Sequence, residues 1–143
     1  MTVLYLDANA LAKLYVTEHD SDEVVRAVDA VPSVASCAIA YAEVCGVFAR
    51  YLRDGALTEA AHDDLARAFA EDWGTVSVIE VSPRVSQLAG QLLKAHRGAR
   101  LRALDALHLA SALEARTVAP LRFLTFDADL ARVARALMPD ASI

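Results

Sequence analysis

Val3-Leu4-Tyr5-Leu6-Asp7-Ala8-Asn9-Ala10 is the stretch on which the fold turns. A strand with one wet face alternates apolar and polar residues. An unbroken apolar run that stops at an acid reads instead as a strand covered on both faces, as in parallel sheets. Leu121 to Thr125 reads as a second short buried strand, with Asp127 two residues past its end.

Working outward from these strands, helical and extended patterns alternate. The spacing of Leu11, Leu14 and Tyr15 predicts a helix from Ala8 to about Val16, and Ser21-Asp22-Glu23 opens another to about Ala30, closed by Pro32. Residues 33–36 read as a brief strand, and residues 39–53 as a helix ended by Asp54-Gly55. Thr58 and Glu59 start a helix that stops near Trp73-Gly74, Thr75 to Val81 alternates as a strand, and Pro83 begins a helix. Leu101 to Arg116 and Asp127 to Leu137 supply the last two helices. The pattern predicts an α/β fold, a parallel sheet of short strands sandwiched between helices, in a single domain over residues 1–143. Helix should predominate.

The 143 residues carry 19 Asp and Glu against 14 Lys and Arg, a net charge of -5, and 56% of them are hydrophobic. That composition excludes a disordered or collagen-like chain and argues against a basic nucleic-acid coat. The longest apolar stretch, Ala30 to Ala42, is too short for a bilayer and contains Pro and Ser, so no membrane partner is expected. The N-terminus lacks the basic start of a signal peptide, which predicts a cytoplasmic protein. Cys37 and Cys45 have no metal-ligand spacing and read as reduced, buried thiols.

Four acids need more than packing to explain them. Asp7 and Asp127 follow the two strands and face the same sheet edge, where open parallel sheets bind ligands; each would also serve as a helix N-cap. Glu43 has Ile39, Ala40, Gly46 and Val47 three and four residues away, so it lies on an apolar stripe with no local cation to pair with. Asp105 has Leu101 and Leu109 at four residues and Arg102 and His108 at three, which allows a local ion pair with Arg102. His108 itself reads as a hydrogen-bonded core histidine. Carboxylates gathered at one edge repel unless a hard cation neutralises them, and an oxygen-only donor set favours Mg²⁺ or Mn²⁺. Such ions serve phosphate chemistry. The basic run Lys94, Arg97, Arg100 and Arg102, leading into the Asp105 segment, reads either as a solvated loop or as a contact for flanking RNA phosphates.

Together, Tyr5 to Ala10, Ser36 through Glu43 to Arg50, Leu101 to Ala110, and Leu124 to Leu130 resemble PIN-domain proteins. More narrowly, they resemble VapC-type toxins of type II toxin–antitoxin systems, over essentially the whole chain and in the right order. The resemblance implies a PIN fold of three α/β/α layers, Mg²⁺- or Mn²⁺-dependent endoribonuclease activity, a homodimer and a cognate VapB-like antitoxin. By position it makes Asp7, Glu43, Asp105 and Asp127 the catalytic, metal-binding acids, with Asn9 and Thr125 as polar helpers and Asp129 as an additional acid. Two alternatives stand beside it: a non-catalytic interaction module of the same fold, and a receiver-like phosphoacceptor domain. The second lacks the lysine it needs near the C-terminus, since only Lys13 and Lys94 exist. A dehalogenase-like phosphatase would require Asp where Asn9 stands.

Overall fold

The computed structural model describes residues 1–143. In chain order the elements are β1 (Val3–Leu6), α1 (Ala8–Ala12), α2 (Ser21–Asp29), β2 (Ser33–Cys37), α3 (Ala40–Arg53), α4 (Glu59–Trp73), β3 (Ser77–Ile79), α5 (Pro83–Ala95), α6 (Ala103–Arg116), β4 (Leu121–Leu124) and α7 (Ala128–Leu137). The four strands form one sheet in the order β3-β2-β1-β4, and every pairing is parallel. The chain builds outward from β1 through β2 and β3, then returns to lay β4 on the other side of β1. The switch point of the sheet therefore lies between β1 and β4, at the carboxyl ends of the strands.

Period-two alternation along β1 separates the two cores. Leu4 and Leu6 face one helical layer, where they meet Leu11 of α1, Val24 of α2, Phe48 of α3 and Phe69 of α4. Tyr5 faces the other, with Phe123 of β4, Leu92 of α5, Leu109 of α6 and Leu130 of α7. Both faces of the strand are thus covered, which is why its residues are apolar without interruption.

Local signals set the helix ends. Thr58 accepts the Ala61 N–H at 3.1 Å, and Ser82 accepts the Val85 N–H at 3.1 Å ahead of Pro83. Beyond α3, Gly55 takes φ 77° while Ala56 N–H donates to the Tyr51 carbonyl and Gly55 N–H to that of Leu52, a pattern that favours glycine.

Three elements differ from the sequence expectation by two residues or more at an end. The first helix ends at Ala12 rather than near Val16, because the amides of Leu14 and Tyr15 turn back to carbonyls three residues earlier. The third strand keeps only Ser77–Ile79 of the stretch from Thr75 to Val81, because it is an edge strand paired with just Ala35 to Cys37. The sixth helix begins at Ala103, with Arg102 as its extended N-cap. No helix is long and apolar enough to cross a membrane.

Candidate active site

The register of the sheet places the first pair of site residues. Leu6 and Leu124 are partners across β1 and β4, so Asp7 and Thr125, each the next residue in its chain, emerge side by side at the switch point. Thr125 Oγ1–H donates to Asp7 Oδ2 at 2.5 Å, and the Ala10 N–H donates to Asp7 Oδ1 at 3.0 Å, capping α1. Asp7 is only 5% exposed and makes no ion pair with any Lys or Arg. Burial pushes its carboxyl above the usual carboxylate range, against the opposing pull of the Thr125 and Ala10 hydrogen bonds and the nearby His108; the Glu43 charge adds to the rise.

The second pair of acids comes from helices. Glu43 sits in the first turn of α3, and its Oε1 lies 2.7 Å from His108 Nε2 of α6. His108 Nδ1 lies 2.7 Å from the Tyr5 hydroxyl in the core, and the histidine is 2% exposed. Asp105, in the first turn of α6, accepts the Arg102 N–H on Oδ2 at 3.0 Å, while Arg102 Nε stands 3.7 Å from the same oxygen. Asp7, Glu43 and Asp105 line one open cleft of about 540 Å³, together with Asn9, His108, Arg50 and Arg102.

Asp127 occupies the adjoining cleft, of about 420 Å³, with Lys13, Glu18 and Phe126; Asn9, Val47 and Arg50 form walls of both. Its Oδ1 accepts the Leu130 N–H at 2.9 Å to cap α7, and its own N–H donates to Thr125 Oγ1 at 3.2 Å. Thr125 therefore ties Asp7 to Asp127. Asp129 is paired with Arg132 at 3.1 Å and lines neither cleft. The basic run is divided: Arg102 reaches the acidic cleft, Lys94 and Arg97 line a separate one, and Arg100 lines none of the three.

The capping roles and the Arg102 contact expected from the sequence are thus present at Asp7, Asp105 and Asp127, but the partner of Glu43 is distant in the chain. No cation stands three or four residues from Glu43 in the sequence; its partner is His108, 65 residues on. Tyr5 and Arg50 also belong to the site, and only the motif spacing around them hinted at it. No group of three or more His, Cys, Asp or Glu side chains is placed so as to hold a metal ion by itself.

A family model for the PIN domain matches residues 4–136. The chain belongs to the PIN-domain family. Among its relatives is the ribonuclease VapC45 of Mycobacterium tuberculosis (strain CDC 1551 / Oshkosh), 37% identical over 113 residues that cover 79% of this chain and 76% of the relative. The fold is shared with VapC20 of Mycobacterium tuberculosis, a toxin that cleaves the sarcin–ricin loop, at a TM-score of 0.69 and 17% identity over 91% of this chain and 94% of that one. It is also shared with a toxin–antitoxin complex from Klebsiella pneumoniae, at a TM-score of 0.69 and 20% identity over 98% and 95% of the two chains.

Proposed function

We propose that this PIN domain is a cytoplasmic endoribonuclease that hydrolyses RNA phosphodiester bonds with the help of Mg²⁺ or Mn²⁺, and that it is the toxin of a type II toxin–antitoxin pair. One observation carries the reading: a nearly buried carboxylate, Asp7, without a Lys or Arg partner, shares an open cleft with Glu43 and Asp105 at the switch point of the sheet. A carboxylate so placed either takes up a proton or is offset by a cation brought from outside.

The donor set is oxygen-rich and hard, which suits Mg²⁺. That ion keeps several of its waters and takes one or two carboxylates plus substrate phosphates, so a closed cage of protein ligands is not required. Asp7, Glu43 and Asp105 would hold it, and Asp127 would act from the adjoining cleft. A bound ion supplies a more acidic water and offsets charge that grows on the phosphate and the leaving oxygen. The chain's own contribution is orientation. Two hydrogen bonds fix the Asp7 carboxylate, and Thr125 keeps it in step with Asp127. Arg102 at the acidic cleft, and Lys94, Arg97 and Arg100 further along the run, would meet flanking phosphates, while Asn9 lines both clefts. A VapB-like antitoxin and a second copy of the chain are the partners proposed, by likeness to the VapC relatives and the Klebsiella complex.

The test is incubation of total RNA with the purified protein in Mg²⁺, in EDTA, and with Asp7→Asn, followed by sequencing of fragment ends. Defined new ends that need both Mg²⁺ and Asp7 are expected. Cleavage indifferent to EDTA, or no cleavage in either Mg²⁺ or Mn²⁺, contradicts the proposal. One observation favours a second reading, the non-catalytic module: Asp7 and Asp127 accept first-turn amides of α1 and α7, Asp105 accepts the N-cap amide of its own helix, and all three so have structural work without any metal. An inert scaffold of that kind gains no thermal stability from Mn²⁺.

A further inference from the structure

We propose that His108 and Tyr5 are positioning residues that fix the Glu43 carboxylate for the divalent ion, through a hydrogen-bond chain of defined direction running from the core to the cleft. The inference rests on the metal-dependent reading above. Its three members come from three layers of the fold: Tyr5 from β1, His108 from α6 and Glu43 from α3. Both links are 2.7 Å long. The Tyr5 ring is wholly buried and stacked on Phe123 at 5.4 Å between centroids, so its hydroxyl has no access to water and must find a partner inside.

Proton roles follow from the chemistry of the ends. An ionised carboxylate only accepts, so His108 Nε2 carries the hydrogen and donates to Glu43 Oε1. In a neutral imidazole Nδ1 is then bare, and it accepts the Tyr5 O–H. Glu43 is held by one oxygen. Its other oxygen, Oε2, receives no hydrogen bond from the protein and is left for the ion. A glutamate on a helix surface ordinarily samples several rotamers; here the histidine, 3% exposed at its side chain, removes that freedom.

Two measurements on the full-length chain test this. In ¹⁵N spectra of imidazole-labelled, metal-free protein above neutral pH, His108 should show a protonated Nε2 and a bare Nδ1; the opposite tautomer overturns the proposal. Mn²⁺ binding, followed by the loss of the free-ion paramagnetic resonance signal, should weaken by about ten- to a hundredfold in His108→Leu. Tyr5→Phe should weaken it less, and His108→Gln, whose amide N–H can still donate to Glu43, should recover part of the loss. Circular dichroism checks that each variant is folded, and Tyr5→Phe keeps the test decisive if His108→Leu is not. Variants that bind Mn²⁺ as tightly as the parent overturn this inference alone, whereas a parent that binds no Mn²⁺ overturns the metal-dependent reading with it.

Discussion

Asp7 and Asp127 hang from strand ends, whereas Glu43 and Asp105 ride on helices, and the two pairs are held in different ways. At the strand ends the ladder does the placing: Asp7, Thr125 and Asp127 are bonded to one another and to the first turns of α1 and α7. On the helices the cleft depends on how α3 and α6 dock. Glu43 is held by a histidine 65 residues away, and Asp105 by its own N-cap. The strand-end acids are therefore rigidly placed by the sheet and costly to disturb, while the positions of the helix-borne acids follow from the docking of α3 against α6 and from the N-cap of α6.

The largest expected effect lies at the rigid end. Asp7→Asn should lower RNA cleavage by about a thousandfold, the scale seen when one preorganised electrostatic group is removed, as read by initial rates in Mg²⁺. The same substitution sharpens the comparison without metal. The folded-state pKa of Asp7 is raised, so its protonation favours the fold: that contribution is fully present below the unfolded carboxylate value and is lost as pH rises through the raised one. Melting in EDTA should therefore show the parent losing ground to Asp7→Asn as pH climbs above the ordinary carboxylate range. A constant difference across that range breaks the claim.

Metal is the next largest lever. At a hundredfold excess over its dissociation constant, Mn²⁺ should stabilise the parent by about 2.7 kcal/mol, and Asp7→Asn by far less, in thermal melts at matched protein concentration. Thr125→Val comes after it. It removes the hydroxyl that donates to Asp7 and accepts from the Asp127 amide, so it should cost about 1–3 kcal/mol in urea unfolding. The smallest effect belongs to the helix-borne acid. In Asp105→Asn the amide oxygen can still accept the Arg102 N–H, and the Arg102 side chain is 81% exposed, so stability should move by no more than about 0.5 kcal/mol while cleavage falls. A large stability loss there would mean that the helix pair is as structural as the strand pair.

The same contrast explains what could be read from the sequence. Strand identity follows from unbroken apolar runs, and once β1 and β4 are parallel neighbours, Asp7 and Thr125 must emerge together. The caps at Thr58 and Ser82 are local chemistry and are legible for that reason. The partner of Glu43 is not local. Its stripe position announces that something must satisfy the carboxylate, but only the docking of α6 against the sheet decides that His108 does so. Likewise, nothing in the spacing of Leu11, Leu14 and Tyr15 reveals that the first helix stops at Ala12, where Lys13 turns its ammonium to Glu18 at 3.1 Å. The basic run reads as one feature in sequence, yet the turn before α6 sends Arg102 to the acidic cleft and leaves Lys94 and Arg97 on another.

The most direct test of the central claim is anomalous diffraction from crystals of the protein grown with Mn²⁺. The account predicts a peak within coordinating distance of carboxylate oxygens of Asp7, Glu43 or Asp105 in the shared cleft, and its disappearance in Asp7→Asn. A protein that cleaves RNA in Mn²⁺ while its crystals show no peak in that cleft, or show one only elsewhere, would contradict it.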